Sequence, residues 1–167
     1  SFPTRRSSDL VNKEFTINNI DYYVEELTDK SFEDLDIAIF SIDTELSKKY
    51  IKHAINSNCM VIDNSSAFRM DENVPLVIPE INMDSIRESS MIIANPNCST
   101  IILNLVLYPI HKINPIKRIV VSTYQAASGA GLKAMEELKN QAIDFSRDHF
   151  FYDKTIFGKQ YLWNLFS

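Results

Sequence analysis

Cys98 is the residue best suited to nucleophilic chemistry in this chain of 167 residues. It follows a strand-like apolar run and the turn Asn95-Pro96-Asn97, and a long apolar segment begins three residues later. This order predicts that Cys98 stands at the start of a helix, where backbone N–H groups can point at its sulfur and stabilise a thiolate. The thiolate is the reactive form, so the pattern is typical of covalent catalysis. A second interpretation stays open, because most free cysteines are small buried apolar residues.

Arg69 and Gln125 each follow a strand-like run and could bind a substrate. In a parallel sheet, ligands bind where the chain leaves the carboxyl end of a strand. The Arg69 guanidinium, with the hydroxyl groups of Ser65 and Ser66, could bind a phosphate in a bidentate way. Gln125 precedes the turn 126–131, where a neutral amide could orient a substrate and glycine lets a ligand approach the backbone. The alternative for Arg69 is a solvated surface arginine.

The three histidines, His53, His111 and His149, add nothing to this set. None stands at a metal-ligand spacing from Cys59 or Cys98, so we predict no metal site. A thiol enzyme usually has an acid/base partner, and no histidine of this sequence is a candidate for it. Cys59 lies inside an apolar run and is predicted to be a core residue.

The composition excludes several classes of function. A net charge of −5 argues against nucleic acid or an anionic membrane as a partner, and no apolar run approaches the roughly 20 residues that cross a bilayer. Two cysteines make no disulfide framework, which favours a reducing cytoplasm. Only three glycines are present, and the first 128 residues have none, so no glycine-rich phosphate loop occurs there.

The hydrophobic pattern predicts strands alternating with helices. Loose apolar alternation on both sides of Asn18-Asn19 predicts a short hairpin or two edge strands. Apolar runs and helical spacings then predict strands over 36–41, 59–63 and 90–94, with a helix over 47–56 between the first two. They also predict a helix over 101–110, capped by Asn97 or Ser99 and ended by Pro109, a strand over 116–124 and a helix over 130–145. Strand, helix and strand with near-continuous apolar runs indicate parallel strands covered on both faces.

The two ends of the chain differ in character from the rest. Residues 1–10 have no helical or strand period, and we predict that they are a non-native leader, with a frayed natural terminus as the alternative. The end of the chain is rich in large rings that need a surface to pack against: Phe150, Phe151, Tyr152, Phe157, Tyr161, Trp163 and Phe166.

Four motifs together closely resemble those of the aspartate-semialdehyde dehydrogenase family. They are residues 61–70 (VIDNSSAFRM), 74–82 (VPLVIPEIN), 92–100 (IIANPNCST) and 122–131 (STYQAASGAG). The resemblance implies an α/β fold, the remnant of a doubly wound, Rossmann-like parallel sheet followed by the start of an α+β catalytic domain. We therefore expect a partial dinucleotide-binding domain over 11–97 and the beginning of a catalytic and dimerisation domain over 98–167.

The resemblance implies NADP-dependent interconversion of 4-aspartyl phosphate and L-aspartate 4-semialdehyde. This step serves lysine, methionine and threonine synthesis, and diaminopimelate synthesis in bacteria. The implied roles are a catalytic nucleophile that forms an acyl-thioester (Cys98), a phosphate ligand (Arg69) with Asn97 beside it, a substrate-holding and catalytic amide (Gln125), and NADP contacts (Ser66, Ser128 and Gly129). The implied partners are these small molecules and further copies of the full-length chain, as a homodimer or homotetramer, in the cytoplasm.

The chain also departs from the family's pattern. The glycine-rich loop should precede residue 11, and the catalytic histidine should follow Ser167. Residues 40–43 (FSID) stand where members commonly have a small Ala-Gly pair near the cofactor. We therefore expect an internal piece of the enzyme that has no useful activity alone. The alternatives are a related thioester-forming reductase, of the N-acetyl-glutamyl-phosphate reductase or glyceraldehyde-phosphate dehydrogenase type, or a non-catalytic truncated chain that at most binds a full-length partner.

Overall fold

The computed structural model describes residues 4–6, 11–149 and 152–164. The chain divides into two compact units, Ser1–Lys117 and Arg118–Ser167. In chain order, the first unit contains β1 (Thr4–Arg6), β2 (Glu14–Ile17), β3 (Ile20–Glu26), β4 (Ile37–Phe40), α1 (Thr44–Asn56), β5 (Met60–Asp63), α2 (Pro79–Asn82), a 3₁₀ turn (Met83–Ser85), β6 (Ile92–Ala94) and α3 (Cys98–Ile113). The second unit contains a 3₁₀ turn (Ala127–Ala130) and α4 (Leu132–Ser146).

β2 and β3 form the antiparallel hairpin predicted around Asn18-Asn19, with Ile17 opposite Ile20. Both asparagines have positive φ angles, 52° and 62°. A two-residue turn that matches the twist of a hairpin needs this conformation at both central positions, and asparagine adopts it more readily than most residues. The turn chemistry therefore sets the register of this hairpin, and the prediction is confirmed.

β1 pairs in parallel with β3, with Thr4 opposite Val24 and Arg6 opposite Glu26. Residues 4–6 carry no strand period, so this short strand owes its structure to pairing with a neighbour and not to a local pattern. The other residues of 1–10 lie outside the described residues. The non-native leader stays a prediction.

The parallel sheet predicted from the apolar runs is present, with the strand order β4-β5-β6. Ile37 lies opposite Met60, and Val61 lies opposite Ile92. Because α1 connects β4 to β5, these elements form the strand–helix–strand unit that parallel pairing requires. The α/β fold with a Rossmann-like parallel sheet is confirmed.

The core of the first unit lies between α1 and this sheet. α1 buries Tyr50, Ile51 and Ala54 at helical spacing. The other members of the core come from the strands and the segment before them: Leu27, Phe32, Phe40, Cys59 and Val61. Burial of Cys59 confirms its predicted place in the core, and this burial raises the pKa of its thiol, with a smaller contribution from Asp36.

β4 is covered on one side by the described residues. Ala38 and Phe40 face the core, whereas Ile37 and Ile39 on the opposite face are 56% and 70% exposed. The sequence predicts apolar cover on both faces of this sheet. At β4, the described residues supply that cover on the α1 side only.

α3 begins at Cys98, as the position of the cysteine after a turn predicts. Asn97 caps it, since the Asn97 side chain accepts a hydrogen bond from the backbone N–H of Ser99 at 3.0 Å. The prediction that Pro109 ends this helix is wrong, because α3 continues to Ile113. Proline removes one backbone donor from the helix interior, and a helix can continue past it at that cost.

The second unit begins with a segment that has no regular secondary structure. The sequence predicts a strand over 116–124, but the described residues provide no partner strand, and Val120 and Tyr124 are 81% and 89% exposed. A run of β-branched residues fits a half-buried pleated surface, and it forms a ladder only where a neighbour supplies one. The strand prediction is therefore wrong for this structure.

α4 confirms the predicted amphipathic helix, with its start moved to Leu132. Gly131 precedes it with φ of 91° and ψ of −178°, a conformation that a residue with a Cβ rarely adopts. Among the aromatic residues at the end of the chain, Phe157 stacks on Tyr161 and Phe145 contacts Trp163 edge-on. The other rings predicted to need a surface include Phe150, Phe151 and Phe166, which lie outside the described residues.

Candidate active site

Two loops meet at the carboxyl edge of the parallel sheet, one leaving β5 and one leaving β6. The backbone N–H of Asn95 donates to the carbonyl of Asp63 at 2.9 Å, and Asn95 Nδ2 donates to Asn64 Oδ1 at 2.6 Å. Arg69 joins the same loops, because its Nε donates to the carbonyl of Asn95 and its Nη2 to the carbonyl of Asn64, both at 2.9 Å. Arg69 is thus held at the edge of the sheet where parallel-sheet proteins bind ligands.

The guanidinium of Arg69 keeps capacity for a ligand. It carries five N–H donors, and the two bonds to backbone carbonyls use two of them. Its side chain is half-buried, so an anion bound there would be partly shielded from water. For these two reasons, Arg69 is better suited to bind a phosphate than a fully solvated arginine would be.

Asp63 anchors the loop that carries Arg69, and the sequence analysis did not single it out. Its carboxylate is fully buried and accepts hydrogen bonds from Ser47 Oγ (3.2 Å), Ser65 Oγ (2.8 Å) and the backbone N–H of Ser65 (3.0 Å). Ser65 Oγ in turn accepts from the backbone N–H of Ala67 at 3.0 Å. A buried carboxylate is costly without such donors. The signal that could have revealed it is an acidic residue closing an apolar strand, followed by serines.

Cys98 is exposed and carries a free thiol as the first residue of α3. Two residues separate it from Asn95, whose carbonyl binds Arg69. Asn97 lies between them, and its Oδ1 accepts the capping hydrogen bond from the backbone N–H of Ser99. The edge of the sheet therefore brings the loops of Arg69, Asn97 and Cys98 together, with a reachable sulfur at the start of a helix, where backbone N–H groups favour negative charge.

Ser66 belongs to the same loop as Arg69. Its hydroxyl is exposed and lies 2.9 Å from Oγ1 of Thr44, the first residue of α1. Two adjacent hydroxyls beside a helix start can hydrogen-bond phosphate or ribose oxygens, so this donor set fits a dinucleotide.

Gln125, Ser128 and Gly129 lie in the second unit, in and just before the 3₁₀ turn. The side chain of Gln125 folds over Gly129, so that a Cβ added at Gly129 would collide with Gln125 Nε2. Gln125 also lines a cleft of about 980 Å³ together with residues 121–124 and the rings of Phe157 and Tyr161. A Cβ at position 129 would therefore force the amide end of the Gln125 side chain to move.

The predicted site residues thus form two groups. Ser66, Arg69, Asn97 and Cys98 share the sheet edge of the first unit, and Gln125, Ser128 and Gly129 share the turn of the second. The described residues contain no cluster of three or more histidine, cysteine or acidic side chains placed to hold a metal ion. Within the same residues, no helix has the length and apolar character needed to span a bilayer.

Comparison with known protein families decides the assignment. Residues 5–89 match the model of the semialdehyde dehydrogenase NAD-binding domain, and residues 107–166 match that of the semialdehyde dehydrogenase dimerisation domain. The chain belongs to the semialdehyde dehydrogenase family. This is an oxidoreductase family, and Arg69 and Ser66 fall within the NAD-binding match, Gln125, Ser128 and Gly129 within the dimerisation match, and Cys98 between the two.

Relatives of this semialdehyde dehydrogenase chain carry the name aspartate-semialdehyde dehydrogenase. The aspartate-semialdehyde dehydrogenase of Rickettsia bellii is 43% identical over 164 residues, which cover 96% of this chain and 48% of the relative. The crystal structure of aspartate semialdehyde dehydrogenase II from Vibrio cholerae has 36% identity and a TM-score of 0.81, with coverage of 96% of this chain and 48% of that one. A second structure of the Vibrio protein, complexed with ASA, has a TM-score of 0.80 at 36% identity and covers 93% and 47%. The chain spans about half the length of the curated relatives it matches.

Proposed function

We propose that the whole protein catalyses the NADP-dependent interconversion of 4-aspartyl phosphate and L-aspartate 4-semialdehyde. The observation that carries the proposal is the sheet edge, where an exposed thiol at a helix start follows the loop that binds Arg69. Membership of the semialdehyde dehydrogenase family supports the same reaction class. The names of the relatives, aspartate-semialdehyde dehydrogenases, and the ASA complex of one of them support the substrate.

Cys98 is the proposed nucleophile. Its thiolate attacks the acyl carbon of 4-aspartyl phosphate, so that a C–S bond forms while the C–O bond to the phosphate breaks. Phosphate leaves with the electron pair of that bond, and an acyl-thioester remains on Cys98. Forming this intermediate divides a difficult reduction into two easier steps. The exposed position at the start of α3 supports the role, because the substrate can reach the sulfur there.

Arg69 is the proposed ligand of the phosphate group, with Asn97 close to it. A guanidinium offers a planar pair of donors that matches two phosphate oxygens. The bonds from Arg69 to the carbonyls of Asn64 and Asn95 orient the side chain before any substrate arrives, which lowers the entropic cost of binding.

Gln125 is the proposed substrate-holding residue, and Ser66, Ser128 and Gly129 are the proposed contacts of NADP. A primary amide can both donate to and accept from a substrate without exchanging a proton with it. A bound nicotinamide dinucleotide supplies the hydride that carries the acyl carbon to the aldehyde level. Exposed hydroxyls at positions 66 and 128 fit hydrogen bonds to its phosphate or ribose oxygens. Breaking the C–S bond then returns the Cys98 thiolate.

The proposal extends to partners and location. We assign residues 11–97 to the dinucleotide-binding domain and residues 98–167 to the catalytic and dimerisation domain, and we expect a homodimer or homotetramer of the whole protein in the cytoplasm. The match to a dimerisation domain supports self-association. We also expect no turnover from the 167-residue chain alone, since it spans about half the length of its relatives.

A substrate panel tests this function on the whole protein. The assay follows NADPH consumption with 4-aspartyl phosphate, N-acetyl-glutamyl 5-phosphate and 1,3-bisphosphoglycerate, and repeats the best substrate with NADH. We expect kcat/KM to favour 4-aspartyl phosphate by at least about a hundredfold, because the rejected substrates lack or misplace polar groups that the site would bind. A preference for either other acyl phosphate would move the protein to the related reductases, and a preference for NADH would overturn the NADP assignment.

A further inference from the structure

Two buried polar side chains on α4 have no part in the proposed reaction. Glu137 is 3% exposed and Gln141 is fully buried. They stand four residues apart, one helical turn, and therefore on the same face of α4. Charged and amide side chains are rarely buried this completely unless their hydrogen bonds are satisfied. Their partners therefore show what they do.

Glu137 binds the backbone of the segment that follows α4. Its Oε2 accepts from the N–H of Ile156 at 2.6 Å, and its Oε1 accepts from the N–H of Phe157 at 3.3 Å. Charge-assisted hydrogen bonds of this kind are stronger than neutral ones. Glu137 thus holds two successive backbone amides of this segment.

Gln141 repeats the arrangement one turn further along. Its Oε1 accepts from the N–H groups of Tyr161 and Leu162, both at 2.9 Å, and its Nε2 donates to the carbonyl of Asp153 at 2.7 Å. Together the two side chains bind four amides and one carbonyl of residues 153–162. A segment without regular helix or strand is therefore fixed to α4 by side chains and not by a backbone ladder.

The segment fixed in this way reaches Gln125. The hydroxyl of Tyr161 donates to the carbonyl of Gln125 at 3.1 Å. The ring of Tyr161 stacks on that of Phe157, with centroids 4.1 Å apart, and both rings line the cleft that Gln125 lines. The carbonyl that Tyr161 binds belongs to the residue whose side chain lies over Gly129.

We infer that Glu137 and Gln141 are positioning residues that act on Gln125 through Tyr161. They hold the segment 153–162 so that the Tyr161 hydroxyl fixes the backbone of Gln125, and this fixes where the Gln125 amide meets the substrate. The inference rests on the proposed function, in which Gln125 holds the substrate. It adds three residues, Glu137, Gln141 and Tyr161, that act on the reaction without touching the reacting atoms.

The test uses single-atom changes in the whole protein. Tyr161→Phe removes the hydroxyl and keeps the ring stack. Tyr152→Phe is its control, since it removes the same group from a half-buried tyrosine just before the segment 153–162. Glu137→Gln removes the charge of the buried side chain that binds Ile156 and Phe157. Its control, Glu136→Gln, removes the same charge from the exposed neighbouring position. The double variant Tyr161→Phe/Glu137→Gln completes a cycle that shows whether the two residues act through one another.

Two kinds of measurement are made on each variant. Steady-state kinetics give kcat and the KM for 4-aspartyl phosphate. Hydrogen exchange is followed at the Gly129 and Gly131 amides, which donate to the carbonyls of Ala126 and Ser128. For Tyr161→Phe and for Glu137→Gln we expect KM to rise about five- to tenfold, because the loss of one hydrogen bond weakens binding by about that factor. We expect a smaller change in kcat and faster hydrogen exchange at the two amides. The double variant should be no worse than the more affected single variant, and both controls should match the parent.

The outcomes separate this inference from the proposed function. Tyr161→Phe that matches Tyr152→Phe in KM and in exchange, or a double variant whose effects on KM multiply, would overturn the inference. Faster exchange with unchanged KM would also overturn it, because the turn would then be held without positioning a substrate. A parent protein that lacks the dehydrogenase activity but shows the coupled change in exchange would overturn the proposed function and support the link from Glu137 to Gln125.

Discussion

The two cysteines show how position decides the chemistry of one side chain. Cys59 is fully buried in the core, and burial raises its thiol pKa, whereas Cys98 is exposed at the start of α3. The thiolate is the form that attacks reagents and substrates. The sequence already assigned these different environments, because Cys59 lies inside an apolar run and Cys98 follows a turn.

Thiol reactivity checks this assignment in the native chain. We expect one thiol per chain to react with an aromatic disulfide reagent at neutral pH within minutes, and peptide mapping to locate it at Cys98. Cys59 should react only after denaturation, and Cys98→Ala should abolish the fast phase. Fast labelling of Cys59 in the native chain would contradict the buried core.

Arg69 couples two roles, since it ties two loops together and is the proposed phosphate ligand. Arg69→Lys keeps the charge and removes the planar pair of donors, so we expect the KM for inorganic phosphate to rise about ten- to a hundredfold. Initial rates of aldehyde oxidation at varied phosphate measure this in the whole protein. The exposed Arg87→Lys is the matched control and should keep the parental KM, and an unchanged KM in Arg69→Lys would remove the residue from the phosphate site.

The elements place these side chains by simple rules. Parallel strands end at one edge of the sheet, so the loops after β5 and β6 are adjacent. The apolar runs of the strands and the cap of α3 are local signals, and the sequence predicts them. In the chain leaving β5, the acidic residue followed by serines is a further local signal, but the bond between the buried Asp63 carboxylate and Ser47 joins two elements and no apolar period predicts it.

Asp63 is expected to stabilise the first unit strongly. Asp63→Ala leaves the donors at Ser47 and Ser65 without their buried acceptor, and we expect a loss of about 2–4 kcal/mol in the free energy of unfolding. Urea denaturation followed by circular dichroism gives this value. Asp84→Ala, at an exposed position, is the control and should lie within about 0.5 kcal/mol of the parent; an equally small effect in Asp63→Ala would show that the network does not hold the loop.

Gly129 is expected to be limited by Gln125. A Cβ at position 129 would collide with the Gln125 amide, so Gly129→Ala should lower thermal stability by the equivalent of about 1 kcal/mol or displace the amide. In a Gln125→Ala background the collision partner is gone, and Gly129→Ala should then cost much less. Calorimetry on the four proteins of this cycle measures the coupling. Equal costs in both backgrounds would mean that the two residues do not touch.

Across the whole molecule, the sequence predicts best the features that local patterns of residues determine. The hairpin, the parallel sheet, the start of α3 and α4 rest on local period and turn chemistry, and they are confirmed. The strand over 116–124 is wrong because strand pairing depends on neighbours distant in sequence. The end of α3 at Pro109 is wrong because a helix can continue past a proline at the cost of one backbone hydrogen bond. The sequence also does not predict that Glu137 and Gln141 are buried and bind the segment 153–162, because polar residues on an amphipathic helix usually face water.

The two compact units carry different parts of the proposed reaction. The nucleophile and phosphate ligand belong to the first unit, and the substrate-holding amide belongs to the second. Family membership covers both units, because the NAD-binding match lies in the first and most of the dimerisation match in the second. The covalent step itself depends on one residue of the first unit, Cys98.

Mass spectrometry of the trapped acyl-enzyme shows whether Cys98 carries the intermediate. The whole protein is mixed with 4-aspartyl phosphate in the absence of any nicotinamide cofactor, quenched in acid within a second and digested for peptide mapping. We expect an aspartyl adduct on Cys98, labile to hydroxylamine, that is absent in Cys98→Ala and present in Cys59→Ala. An adduct on another residue, or turnover by Cys98→Ala at the parental rate, would contradict it.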